Sequence, residues 1–129
     1  MSYRSDCRII VSKEGFERLK EFSNNYMENV GEKDYDLMEQ IEVKKENEDE
    51  VYFGWNYLKW YAFSDGFNDV KAIEQGLDWL ANHDYSYRFA RIGESYDDYE
   101  ERSFDSDNRE CNINLDYPCM ERYFNDEVI

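Results

Sequence analysis

The sequence predicts an α+β fold, a ferredoxin-like βαββαβ sandwich in which two helices cover one face of an antiparallel sheet. Four segments have the composition or alternation of strands and two have helical periodicity, in the order β-α-β-β-α-β. A chain of 129 residues with 41% hydrophobic and 18% aromatic content is able to bury one core. We therefore expect a single domain over residues 1–129, in which an acidic extension (94–129) packs on a βαββαβ core (1–93).

The first strand and helix follow from residue type and spacing. Residues 7–12 are rich in β-branched side chains, and Ser12 is suited to cap the segment that follows. In residues 14–27 apolar side chains recur every three or four positions, which is typical of an amphipathic helix, and Gly31 ends it. A short helical turn is expected over residues 33–38.

The two middle strands are predicted to form a hairpin. Residues 41–44 alternate between apolar and charged side chains, and the polar run 45–50 indicates a turn. Residues 51–61 are almost wholly aromatic or aliphatic, which favours a strand covered on both faces. One face of that strand would carry Val51, Phe53, Trp55 and Tyr57.

The second helix is predicted from the caps Asn68 and Asp69 and from the apolar stripe beyond them. Gly76 costs about 1 kcal/mol inside a helix relative to Ala, and it indicates a close approach to the sheet. Residues 87–93 alternate as a fourth strand, and residues 99–104 suggest a fifth at an edge. The expected core residues are Ile9, Val11, Phe16, Leu19, Phe22, Val51, Phe53, Ile73, Leu77, Leu80, Phe89 and Ile92.

The formal charge of -16 arises from 31 acidic and 15 basic residues. Such a balance repels nucleic acid and anionic membranes and attracts basic proteins. The aromatic run 53–63 is similar to the base-stacking platform of an RNA-binding sheet, but residues 46–70 contain a single basic residue, Lys59. We therefore expect no direct binding of nucleic acid.

The stretch that follows Gly93 is the candidate partner-binding surface. Alternate acids on one strand stand about 6.7 Å apart, and those of two paired strands about 3.4 Å, near the charge spacing of one DNA strand. The surface would either imitate a nucleic-acid backbone or serve only for solubility, and its tyrosines would anchor a partner. The expected partner-binding residues are Glu94, Tyr96, Asp97, Asp98, Tyr99, Glu100, Glu101, Asp105 and Asp107.

No familiar motif for catalysis, phosphate binding or zinc binding occurs in the sequence. A calcium loop starting at Asp105 would place Arg109 at a ligand position and Glu110 where glycine is required. His83, the only histidine, is expected at the C-terminus of the second helix. Free thiols are expected at Cys7, Cys111 and Cys119. We expect neither a cofactor, nor a metal, nor enzymatic activity.

The expected compartment is the cytoplasm, and the host cytoplasm if the protein is encoded by a phage. Residues 1–7 contain no apolar signal region, and no segment approaches the length of about 18 apolar residues that a membrane helix needs. No membrane partner is expected.

Two pieces of the sequence carry a resemblance. The first is Trp60-Tyr61 followed by Asp69-Val-Lys-Ala-Ile-Glu74, and the second is Tyr87-Arg-Phe-Ala-Arg-Ile-Gly-Glu94 followed by Asp97-Asp98 and Glu100. Together they resemble small acidic proteins of phage and mobile-element genomes, a group that includes anti-CRISPR and other anti-defence inhibitors. The resemblance implies a stoichiometric inhibitor that sits in the nucleic-acid groove of a host defence protein, and it carries over no functional residue.

Three functional hypotheses follow. The first is a non-enzymatic acidic inhibitor, a DNA mimic that binds the basic nucleic-acid-binding surface of a host nuclease or other defence factor. The second is an immunity protein that neutralises a basic nuclease-type toxin. The third is an enzyme with an unrecognised acidic site, for which the sequence offers no convergent nucleophile and base.

Overall fold

A computed structural model of the protein describes residues 4–59, 68–94, 98–106 and Asp126. Its elements are β1 (Arg4–Ser12), α1 (Lys13–Asn29), two 3-10 turns (Lys33–Tyr35 and Leu37–Glu39), β2 (Val43–Glu46), β3 (Glu50–Lys59), α2 (Asn68–Asn82), β4 (Tyr87–Gly93) and β5 (Tyr99–Phe104). The strands form one antiparallel sheet in the order β2-β3-β1-β4-β5. The architecture is α+β, and the sheet has five strands where the predicted sandwich has four.

The ends of α1 lie close to the predicted positions. The side-chain oxygen of Ser12 accepts a hydrogen bond from the backbone N–H of Gly15 at 3.0 Å, as expected for an N-cap. Gly31 has a φ of 76° and donates its N–H to Glu28, so a residue that tolerates a left-handed backbone lies just beyond the end of the helix at Asn29. The predicted turn over residues 33–38 is present as the two 3-10 turns.

The main core lies between the sheet and the two helices. Alternate residues of β1, β3 and β4 meet the apolar stripes of α1 and α2, and the rings of Phe16 and Phe53 contact edge to face at 5.1 Å. Of the predicted core residues, only Phe22 is half-buried rather than buried. The helix-side core includes Cys7, Ile9, Val11, Leu19, Val51, Phe53, Trp55, Ile73, Leu77, Leu80 and Phe89.

Gly76 lies at a close approach, but to α1 rather than to the sheet as predicted. A Cβ atom at this position would overlap the side chain of Leu19 and would lie 3.3 Å from a ring carbon of Phe22. The absence of a side chain therefore lets the two helices pack closely.

The second face of the sheet is buried as well. Arg8, Ile10, Tyr52 and Ala90 are at most 3% exposed, and all lie on the face opposite the helices. The prediction that β3 is covered on both faces is therefore confirmed over residues 51–55. It is wrong for Tyr57, which shares the parity of Phe53 and Trp55 but is 69% exposed.

The predicted extension, residues 94–129, is described at residues 98–106 and at Asp126, and both parts contact the remainder of the fold. β5 pairs with β4, while Asp126 binds Arg8. The division into a core and an extension within a single domain stays a prediction. Neither described helix combines the length and apolar character needed to cross a membrane.

Candidate protein-binding surface

The predicted partner-binding residues are described only in part. Glu94, Asp98, Tyr99, Glu100, Glu101 and Asp105 have described positions, whereas Tyr96, Asp97 and Asp107 lie outside the described residues. The described ones gather on β5 and at the end of β4.

Along β5 the side chains alternate between an exposed and a half-buried face. Tyr99 and Glu101 are exposed and lie close enough for the Tyr99 hydroxyl to donate to the Glu101 carboxylate. Glu100 is half-buried and faces Arg91 across the strand pair. Adjacent acids on this strand therefore point to opposite faces. On the exposed face Ser103 follows Glu101, so the acids do not form an unbroken row.

Two of the predicted acids are ion-paired with Arg91, whose side chain is only 11% exposed. Its guanidinium group donates two hydrogen bonds to Asp98, at 2.9 and 3.0 Å, and one to the hydroxyl of Ser5. Glu100 is a second ion-pair partner at 3.5 Å. Burial alone would lower the pKa of Arg91, but the bonds to Asp98 together with the charges of Asp98 and Glu100 outweigh it and raise the pKa, so the group stays charged.

A further predicted acid is also paired. Asp105 forms an ion pair with Arg88 on β4, and Arg102 of β5 reaches Glu74 on α2 at 3.1 Å. Burial raises the pKa of Glu74, and the charge of Arg102 opposes that rise. The arginines of β4 and β5 therefore neutralise much of the charge that the sequence places on this part of the molecule.

The charge that reaches solvent is nevertheless strongly negative. Among the described residues classed as exposed, fourteen are acidic and four are basic. The exposed acids are Glu14, Glu17, Glu21, Glu28, Asp34, Glu39, Glu42, Glu46, Glu48, Asp49, Asp78, Glu94, Glu101 and Asp105. The exposed bases are Lys13, Arg18, Lys33 and Lys44. The imbalance follows from the composition, 31 acids against 15 bases, because the partly buried ion pairs of Arg8 and Arg91 remove acids as well as bases from the exposed set.

The opposite edge of the sheet carries acids that the sequence reasoning did not select. Glu42, Glu46, Glu48 and Asp49 lie on or next to β2 and the β2–β3 turn, and they take part in no ion pair among the described residues. Burial, and then the nearby charge of Asp49, raises the pKa of Glu50. The dense run of acids in residues 46–50 was a signal of this surface, but it was interpreted only as a turn.

One end of the sheet exposes two tyrosines. We call it the tyrosine end; it is formed by Arg4, Tyr57, Glu94 and Tyr99, where β1 and β5 begin and β3 and β4 end. Tyr57 has a φ of 60°, a backbone conformation that costs a bulky residue about 1–3 kcal/mol. The register of β1 against β3 shifts between Ser5 and Cys7, so a β-bulge lies beside Tyr57.

A buried polar cluster lies on the second face of the sheet. Arg8 donates to both carboxylate oxygens of Asp126, at 2.8 and 3.2 Å, and also to the carbonyl oxygen of Trp55 and the side chain of Asn56. A Cβ atom at Gly54 would overlap the backbone of β1 and lie 2.9 Å from Arg8. A side chain at position 54 would therefore clash with both the backbone of β1 and Arg8.

The pKa shifts in this cluster favour the charged forms of Arg8 and Asp126. Partial burial opposes ionisation of Asp126, but hydrogen bonds from Arg8 and Tyr52 lower its pKa below the usual value. Burial, followed by the bond to Asp126, raises the pKa of Tyr52, so its hydroxyl remains a donor. Lys45 also donates to the backbone oxygen of Asp126. Because every member is satisfied, the cluster holds Asp126 against β1 and β3.

The described residues assemble no recognisable catalytic or metal site. No group of three or more potential metal-ligating side chains occurs within the described ranges. A groove of about 270 Å³ on the outside of the helices is lined by Arg18, Glu21, Phe22, Asn25 and Trp79.

Burial raises the pKa of Cys7 well above its usual value, which keeps the thiol protonated. His83 lies at the end of α2 as predicted, with Nδ1 2.8 Å from the Trp79 carbonyl oxygen.

Comparisons with protein-family models, with curated proteins and with solved structures gave no match.

Proposed function

We propose that the protein is a non-enzymatic, anti-CRISPR-like inhibitor of phage type, which binds a basic nucleic-acid-binding surface of a host defence protein in the cytoplasm. The observation that carries the proposal is the excess of fourteen exposed acids over four exposed bases in the described residues. A surface with this charge is complementary to a basic protein surface that binds the phosphates of nucleic acid.

The acids would act mainly during approach. Exposed charges on both edges of the sheet attract a basic partner over about a Debye length, roughly 10 Å at 0.1 M salt. This steering raises the association rate and is weakened by salt. The same charges repel DNA and RNA, so the protein occupies the partner's groove without binding the nucleic acid it displaces.

We also propose that the sheet and helices form a ferredoxin-like unit to which β5 is added. The order β2-β3-β1-β4 in an antiparallel sheet, with helices following β1 and β3, supports this assignment. Its functional value is that β5 places Tyr99 and Glu101 at an exposed edge.

The proposal is tested by displacement. The protein is immobilised and exposed to bacterial lysate that has been treated with nuclease, and the retained proteins are then eluted with a short DNA or RNA duplex at constant ionic strength. We expect the retained proteins to have isoelectric points above about 9 and to be released by the duplex, because both ligands compete for one surface.

A double variant shows whether the exposed acids near β5 contribute to association. We expect Glu94→Gln with Glu101→Gln to slow association and leave dissociation nearly unchanged, since neither residue belongs to an ion pair of the described chain. Retained proteins that the duplex fails to displace, or that are not basic, would contradict the proposal. A single retained toxin that loses activity in the complex would instead establish the immunity function.

A further inference from the structure

Tyr57 is the exception among the aromatic residues of β3. Tyr52, Phe53 and Trp55 are fully buried, whereas Tyr57 is 69% exposed at the tyrosine end of the sheet. Its positive φ turns the chain out of the strand pattern next to the β-bulge in β1. Gly or Asn adopts this backbone more readily than Tyr, so the local backbone gives no reason for a tyrosine here.

Two neighbours hold Tyr57 in this exposed position. A carboxylate oxygen of Asp6 accepts a hydrogen bond from the backbone N–H of Tyr57 at 2.9 Å. The guanidinium carbon of Arg4 lies 5.1 Å from the centre of the Tyr57 ring, in a cation–π contact. A side chain that is ordered before binding loses less conformational entropy when a partner encloses it.

The charges around Tyr57 define the partner. The backbone N–H of Arg4 donates to Glu94, an exposed acid that was selected from the sequence, so Arg4 joins Tyr57 to the predicted surface. Tyr99 is exposed at the same end of the sheet but on β5, which β1 and β4 separate from β3, and Glu101 is exposed two residues further along β5. The ring of Tyr57 is flanked by one cation, Arg4, and by the acids Asp6 and Glu94, so this end of the sheet keeps a net negative charge and is complementary to a protein surface in which basic side chains rim an apolar cleft.

We infer that Tyr57 is the anchor through which the tyrosine end docks on a basic protein, with its ring entering a cleft of that protein. The inference rests on the proposed function for the nature of the partner. It adds a contact residue outside the acidic stretch selected from the sequence. In this arrangement the acids set the rate of association and Tyr57 sets the rate of dissociation.

The test uses nuclease-treated bacterial lysate as the probe, with dissociation from the immobilised protein followed on a biosensor. Tyr57→Asn removes the ring but keeps a residue that tolerates positive φ. We expect dissociation to become about 30-fold faster, as for the loss of a hot-spot residue. The matched control is Tyr35→Asn, because Tyr35 is 64% exposed and lies in a 3-10 turn without positive φ. Its dissociation should change by less than about 2-fold.

A photo-reactive benzoylphenylalanine at position 57 identifies the contact directly. Crosslinking to a basic protein at position 57, and not at position 35, would support the inference. If Tyr57→Asn dissociates like the parent, the anchor is wrong while the proposed function stands. If position 57 crosslinks only to acidic or neutral proteins, the basic partner and the proposed function are both wrong.

Folding of the variants is checked separately. The denaturation midpoint of Tyr57→Asn should equal or exceed that of the parent, because Asn adopts the left-handed backbone more readily. If the midpoint falls, Tyr57→Gly replaces it in the binding measurement, since glycine takes the same φ without strain. A parent protein that retains nothing from the lysate and crosslinks to nothing would overturn both ideas.

Discussion

The two edges of the sheet carry similar numbers of acids but expose them differently. On the β5 edge, Asp98 and Glu100 are bound to Arg91, and Asp105 is bound to Arg88. On the β2 edge, the acids of residues 42–49 lie in solvent without an ion pair among the described residues. The difference arises from β4, which supplies arginines to its neighbour β5, whereas β3 supplies aromatic residues and glycine opposite β2.

This comparison shows that acid content along the chain does not measure the charge presented to a partner. An acid that pairs with an arginine of the neighbouring strand contributes to the fold and adds little to the attraction of a partner. On the β5 edge, the exposed residues of the predicted surface outside these ion pairs are therefore Tyr99, Glu101 and the nearby Glu94, with the Tyr99 hydroxyl bonded to Glu101. On the β2 edge, the acids contribute charge without supporting the structure.

The largest effect is expected from removing the arginine that makes the two edges different. Arg91→Met leaves Asp98 and Glu100 partly buried and close together, so we expect the free energy of unfolding to fall by about 3 kcal/mol. Urea titration at neutral pH measures the loss. The control is Arg18→Met, which breaks an exposed pair with Glu21 and a hydrogen bond to Tyr85 and should cost far less than Arg91→Met. Equal losses in the two variants would show that Arg91 is not structural.

A smaller effect is expected from neutralising the acids themselves. Asp98→Asn with Glu100→Gln should cost about 2 kcal/mol, because Arg91 loses its charged hydrogen-bond acceptors in a half-buried position. Glu42→Gln with Glu46→Gln, on the other edge, should cost nothing. Urea titrations of both double variants make the comparison. If the Asp98 and Glu100 variant is as stable as the parent, the β5 acids are a solvated surface, as the sequence suggested.

A pH effect is expected at the β2–β3 turn. The folded pKa of Glu50 is raised above its usual value of 4.5, so folding takes up protons and stability is lost as pH rises from about 4.5 through the folded pKa. Glu50→Gln should therefore gain stability relative to the parent across this window and keep the gain at neutral pH. Urea titrations at several pH values test this. A difference that is constant over the whole range would exclude the titration of Glu50 as its cause.

The smallest effect is expected from salt. Repulsion among exposed acids weakens the folded state, and salt screens it, so the melting temperature should rise between low and moderate salt. The rise should be smaller when Glu42, Glu46 and Glu48 are replaced by Gln, since these acids lack compensating ion pairs among the described residues. Thermal melts at two salt concentrations measure it. A melting temperature that falls with salt in the parent would mean that the ion pairs of β4 and β5 dominate.

Much of the fold was predictable because its signals are local. The Ser12 cap, the stripe of α2 and the alternation of β4 depend on neighbouring residues, and each lies close to the predicted position. The contact of Gly76 with α1 was not predictable in the same way. It depends on how two helices pack, and the sequence shows only that a close approach exists.

The candidate site was less predictable because it depends on pairing between distant residues. Charge alternation indicated that Glu100 and Glu101 face opposite sides, but not that Arg91 lies opposite Glu100. Tyr57 was assigned to the face of Phe53 and Trp55 by its parity, since nothing in the strand signals a positive φ. The bulge that accompanies it lies in β1, about fifty positions earlier in the sequence, and only strand pairing brings it beside Tyr57.

The ion pair between Arg8 and Asp126 also has a consequence for synthesis on the ribosome. The two residues are 118 positions apart, so at 5–20 residues per second Asp126 is added about 6 to 24 s after Arg8. During that interval Arg8, on the central strand of the sheet, lacks the carboxylate that pairs with it in the folded protein. The contacts of Asp126 with the second face of β1 and β3 therefore form only late in translation.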